Sequence, residues 1–173
     1  MNRRTRALSI LAGAALLLPL AGCTTEHTDR PARTPDDTIR AATQTLTDHC
    51  LTRQGLTPPR PGQRSANRAE EQRVAAALFG RPPAELSLTL ANGIPVRAHT
   101  DGCLAAAQRT LYGDQKRWFQ VSTVVNNLKP EAAHRDLSLA SVRARHRAEL
   151  TDWQRLRARA LDASTRVLHT TSH

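Results

Sequence analysis

Aromatic side chains are scarce: two tryptophans, two phenylalanines and one tyrosine in 173 residues. A core built on rings is therefore excluded, and so is the aromatic platform on which single-stranded nucleic acid stacks. Lysine is nearly missing, with Lys116 and Lys129 standing among 25 basic residues that are otherwise arginine. Acids number only 15, so the formal charge is +10. Such a balance favours anionic surfaces as partners and says nothing of fold. The longest apolar run, Ala7 to Leu20, is broken by Ser9 and falls short of the about 20 residues needed to span a bilayer. No glycine-rich phosphate loop, nucleophile elbow or metalloprotease helix occurs, and no internal repeat is visible. Cysteines number three, an odd count that cannot be fully paired within one molecule.

What is present begins at the N-terminus. Arg3, Arg4 and Arg6 precede the apolar run Ala7–Leu20, and small residues follow, the pattern of a bacterial export signal. Leu20-Ala21-Gly22-Cys23 resembles the lipobox of bacterial lipoproteins. The resemblance implies transfer of diacylglyceryl to the Cys23 sulfur and cleavage before it, leaving residues 1–22 as a signal peptide. Two acyl chains hold a protein at a membrane far more firmly than one, which places the expected location at the outer face of the cell membrane. Residues 23–33, with Ala32 as their one aliphatic side chain, read as a flexible tether. Removing three arginines and no acids leaves the remaining chain basic.

With Cys23 acylated, Cys50 and Cys103 are two thiols in an oxidising compartment, where a structural disulfide is expected. A nucleophilic thiolate made by the neighbouring pair His49–Cys50 is the alternative. Adjacent helical side chains point about 100° apart, which disfavours it.

Residues 34–168 read as one mostly helical α+β domain of about five helices and one small antiparallel hairpin, with 169–173 as a frayed tail. Thr34-Pro35-Asp36-Asp37 starts a helix that carries Ile39, Ala42, Leu46 and Cys50 and ends at Gly55. Ser65 or Asn67 opens a second helix, which Gly80 closes. Leu86, Leu88 and Leu90 alternate with polar residues, as do Ile94, Val96 and Ala98 after Ala91-Asn92-Gly93. A three-residue loop that pairs Leu90 with Ile94 keeps one face apolar and puts Gly93 in the left-handed conformation. Asp101 or Thr100 caps a third helix with Cys103, Leu104, Ala107 and Leu111, stopped by Gly113. Asp114 caps a fourth, with Trp118, Val121, Val125 and Leu128 on one stripe and Pro130 after it. From Glu131 to Leu168 the pattern predicts one long helix, or two broken near Thr151-Asp152, with His146 and Glu149 interrupting its apolar seam.

The stretch "LANGIPVRAHTDGCLAAAQRTLYGDQKRWFQVSTVVNNL", Leu90–Leu128, resembles a segment of uncharacterised actinobacterial lipoproteins and secreted proteins, and "HCLTRQGL", His49–Leu56, resembles that group's first cysteine motif. The resemblance also implies a Cys50–Cys103 bond. It transfers no activity and no catalytic residue, and the arginine-rich C-terminal region lies outside it.

Candidate chemistry is correspondingly thin. His27, His49, His99, His134, His146, His169 and His173 are dispersed. They lack the i, i+4 spacing beside acids that builds a metal face, apart from His169 and His173 at the chain end, so no metal and no cofactor is expected. Asp36, Asp37 and Asp101 are explained by helix capping. Arg143, Arg147, Arg155 and Arg159 include two i, i+4 pairs and read either as a solvated face or as a contact for anionic lipid, wall polymer or an envelope protein. Nucleic acid is not an expected partner at this location. The resulting expectation is a lipid-anchored extracytoplasmic binding or interaction module. An envelope enzyme assembled around Asp101, Tyr112 and Trp118 is the competing class.

Replacing Cys23 by alanine should release the protein to the medium or leave it unprocessed. Fractionation of cells followed by immunoblotting reads the outcome, and a variant still processed and retained on the membrane contradicts acylation at Cys23.

Overall fold

A computed structural model describes residues 33–62 and 67–171. The expected signal peptide, Cys23 and nearly all of the tether lie outside the described residues, as do Ser65 and the last two residues. Among the described residues the domain has seven helices rather than about five, and one two-stranded sheet: α1 (Pro35–Arg53), α2 (Arg68–Phe79), β1 (Leu86–Thr89), β2 (Pro95–Ala98), α3 (Gly102–Tyr112), α4 (Gln115–Asn126), α5 (Leu128–His134), α6 (Leu139–Arg145) and α7 (Arg147–Thr170).

The N-terminal signals act as their chemistry requires. Thr34 Oγ1 accepts the Asp37 N–H at 3.2 Å with Pro35 in the first turn. Asn67 caps α2 through Glu70 N–H at 2.8 Å. Asp114 caps α4 through Arg117 N–H at 2.8 Å. Asp101 occupies the cap position of α3 but makes no capping bond. Its carboxylate accepts the Arg81 N–H instead, at 3.1 Å.

The hairpin has the three-residue loop. Leu88 faces Val96 and Leu86 faces Ala98, and Leu90 N–H donates to Ile94 O at 2.9 Å. Gly93 has φ +83°. Leu86 is buried while Ser87 and Arg97 are exposed, so the register turns one apolar face inward.

The C-terminal half departs from the expected one or two helices. After α5 the chain stops at Asp136, whose φ is +51°. Leu137 N–H reaches Ala132 O at 2.9 Å and Asp136 N–H reaches Ala133 O at 3.4 Å, the paired bonds of a Schellman stop. Ser138 Oγ then accepts the Ser141 N–H at 3.1 Å and restarts the chain as α6. A second break falls at His146, shared by the end of α6 and the start of α7. Thr151 and Asp152 lie inside α7, which continues through His169 and Thr170. Pro130 follows α4 as expected but falls in the first turn of α5, where its missing N–H costs nothing, and Leu128, expected on the α4 stripe, opens α5 instead.

The main core joins Ile39 and Ala42 of α1, Leu111 and Tyr112 of α3, Val121 of α4, and Leu156, Ala160 and Ala163 of α7. A smaller core unites Leu128, Ala132 and Val142 of α5 and α6 with Leu137, Leu139 and Leu150. Many of these side chains are alanine, which lets helices approach closely but buries little area per residue. The crosslink is correspondingly important. Cys50 of α1 bonds Cys103 of α3 with Cα atoms 5.6 Å apart, closing a sequence interval of 53 residues. Cys103 is 1% exposed. Gly80 and Gly102 allow the second close approach, between the end of α2 and the start of α3. A Cβ on Gly102 would lie 2.7 Å from Gly80 N, and both glycines have positive φ.

Removing the crosslink by Cys50→Ala with Cys103→Ala should cost roughly 4 kcal/mol of stability, measured as the shift in urea midpoint. A loss below about 1 kcal/mol contradicts a structural role.

Candidate functional site

The residues singled out in the sequence are distributed as follows. Cys50 is committed to its disulfide and His49 is exposed, so no thiolate nucleophile exists there. Asp101 and Tyr112 stand at opposite ends of α3, about 16 Å apart along its axis, and do not converge. Tyr112 is 8% exposed and stacks on Trp118 with ring centroids 3.7 Å apart and planes 12° apart, which is a core contact. Burial pushes its phenol up to about 12, against the lowering effect of Arg157.

The four arginines do not form one row. The break at His146 separates Arg143 from Arg147. Arg155 pairs with Asp152 at 3.1 Å, and that carboxylate also holds Arg117 at 2.6 Å. Hydrogen bonds from Arg117 and then Arg155 lower the Asp152 pKa. The Arg159 guanidinium lies against Gly113, where a Cβ would come within 2.6 Å of its Nε. Arg143 and Arg147 are exposed, and no acid pairs with either among the described residues. Arg157, an interior member of the same helix, pairs with Asp36 of α1 and lies 4.9 Å over Trp153.

A cavity rich in polar groups among the described residues was not legible as a motif. About 400 Å³ of space opens between the hairpin tip and the α4–α5 elbow. Leu88, Leu90, Val124 and Pro130 supply apolar wall; Asn92, Asn127, His134 and Arg135 supply polar groups; and Glu131 and His146 close one side. The elbow is fixed by Asn127, which ends α4, opens α5, and donates from Nδ2 to Thr123 O at 2.7 Å. Asn92 Oδ1 accepts the Ile94 N–H at 3.2 Å within the hairpin loop.

Glu131 is the hub of the polar side. Its Oε1 accepts from Arg135 Nε at 2.9 Å and its Oε2 meets His146 Nε2 at 3.0 Å. His146 Nδ1 faces Glu149 Oε2 at 3.7 Å. Both imidazole nitrogens are thus turned to carboxylates. Thr89 is the one hydroxyl on the lining, and no hydrogen bond joins it to either histidine. Nucleophilic catalysis needs a base within reach of its nucleophile, so the arrangement suits recognition better than covalent chemistry. Its one advance sign in the sequence is the pair of polar residues, His146 and Glu149, set into an otherwise apolar helical seam.

Comparison with family models, with curated proteins and with solved structures finds no match to this chain.

Because the chain has a single tyrosine, spectrophotometric titration reads Tyr112 alone. Its folded pKa of about 12 lies above the ordinary value of 10.0, so its contribution to stability is complete below pH 10 and is lost as pH rises from about 10 to 12. The midpoint should fall near 12 in the native protein and near 10 in urea. A native midpoint of 10 contradicts the buried stack.

Proposed function

We propose that this chain is a lipid-anchored extracytoplasmic binding module of the bacterial envelope, which takes a small ligand in the cavity between the hairpin tip and the α4–α5 elbow. The observation that carries the reading is the composition of that cavity. Its volume is about 400 Å³, within the usual range for small-molecule sites, and an apolar wall faces a few fixed polar groups. Arg135 offers a cationic donor, His134 an imidazole, Asn92 and Asn127 offer amides, and the Glu131–His146 bond braces one wall without exposing a catalytic base.

The proposed address rests on the lipobox-like run at Cys23 and on the likeness of Leu90–Leu128 to actinobacterial envelope proteins. The Cys50–Cys103 bond supports it, since disulfides persist in oxidising compartments. Once the domain is held near a membrane, unpaired Arg143 and Arg147 favour contact with anionic headgroups, wall polymer or an acidic envelope protein over distances of about a Debye length. The enzyme alternative finds less support, because Asp101, Tyr112 and Trp118 do not assemble a site.

A photoreactive amino acid replacing Asn92 in intact cells should yield a discrete adduct that is missing when the same probe replaces exposed Arg68 on α2. Mass analysis of the adducts identifies the ligand. Indistinguishable adduct patterns at the two positions contradict ligand binding in this cavity.

A further inference from the structure

A second group of side chains lies beyond the other end of the hairpin and owes nothing to the cavity. The register that pairs Leu86 with Ala98 places Glu85 across from His99, and Asp101 follows two residues later at the start of α3. One donor atom from each of Glu85, His99 and Asp101 lies within 4.8 Å of the others. His99 Nδ1 stands 3.8 Å from Asp101 Oδ1, too far for a hydrogen bond. That nitrogen is sealed from solvent and has no hydrogen-bond partner, an arrangement that penalises folding unless something else satisfies the lone pair.

Backbone N–H groups anchor both carboxylates. Glu85 Oε2 accepts the Thr100 N–H at 2.8 Å and Asp101 Oδ2 accepts the Arg81 N–H at 3.1 Å. Asp101 Oδ1 is left facing the imidazole, and the Glu85 carboxylate, which also draws on its own N–H and the Thr100 hydroxyl, is held below the ordinary carboxyl range by these bonds, the Thr100 N–H first. The loop that carries them is itself held. His99 O accepts from the buried Gln115 side chain at 2.8 Å, and Thr100 O accepts from the Arg109 guanidinium. Gly80 leaves room for the Asp101 carboxylate, since a Cβ there would collide with it and would come within 2.7 Å of His99 Cβ.

We infer that Glu85, His99 and Asp101 form a binding site for a divalent cation of the zinc class. One imidazole nitrogen and two carboxylate oxygens, with no thiolate, suit Zn²⁺ and, with lower affinity, Mn²⁺. Calcium and magnesium prefer all-oxygen sets. Ligand distances of about 2.1 Å bring neighbouring donors roughly 3.0–3.5 Å apart, so the three side chains need to close by about an ångström. His99 ligates through Nδ1, and water completes the coordination shell from the exposed side of Glu85 and Asp101. Linear spacing hides this set because the hairpin, rather than a helix face, brings Glu85 to His99.

The test uses the full chain, untagged, with its disulfide intact and its metals stripped. Zn²⁺ is titrated by calorimetry while long-range ¹H–¹⁵N spectra follow the imidazoles. One equivalent should bind and move the His99 Nδ1 resonance, and Glu85→Gln or Asp101→Asn should weaken binding by about tenfold or more, as should His99→Ala. The spectrum of the unaltered protein decides the question even if a variant fails to fold. Absence of binding, or binding that leaves the His99 resonance unmoved, overturns the site.

Discussion

The bond between Cys50 and Cys103 joins the last turns of α1 to the first turn of α3, and the arrangement of α1, α3 and α7 depends on that junction. The helices meet through Ala42, Ala107, Ala160 and Ala163 beside a few large side chains, Leu51, Leu111 and Leu156. A buried leucine contributes about 1.5–3 kcal/mol and an alanine far less, so a crosslink worth roughly 4 kcal/mol is comparable with two buried leucines. Burial and crosslink are cooperative in position as well. Gln54 Nε2 lies 3.3 Å from Cys103 Sγ, and the Gly80–Gly102 approach seats α2 on the same end of α3.

That end of the molecule is also where the hairpin is fixed. Buried Gln115, the first residue of α4, holds His99 O and meets Arg109 at 3.2 Å. The strands lead from this anchored loop toward the α4–α5 elbow, where their tip forms one wall of the cavity. The hairpin thus carries chemistry at both ends: Glu85, His99 and Asp101 at its base, and Asn92 at its tip beside Asn127 and Arg135. Small cores and short connections keep both sets of side chains in place, and neither depends on a sequence motif.

Local signals explain what could be read in advance. Thr34, Asn67 and Asp114 cap helices because a side-chain oxygen two or three residues ahead of an orphan N–H is a short-range geometry. The hairpin register followed from keeping the leucines on one face. Neither break carries glycine or proline, the residues that mark helix ends in a sequence: at Asp136 an aspartate in the left-handed region and the Ser138 cap do that work, while His146 starts α7 with no side-chain capping bond. The candidate sites were hidden for a different reason. Glu131 meets His146, and Glu85 meets His99, only after α5 folds back on α6 and β1 pairs with β2. Local chemistry points Asp101 at a cap, whereas tertiary contact with the Arg81 N–H takes its carboxylate elsewhere.

The central claim is that one cysteine carries lipid while the other two bond to each other outside the cytoplasm. Mass analysis of the native protein extracted from membranes, denatured and alkylated without reduction, tests it most directly. The account predicts a chain that begins at Cys23, bears acyl groups on that residue and takes up no alkylating reagent. A chain that begins at Met1 with three alkylated thiols would contradict it.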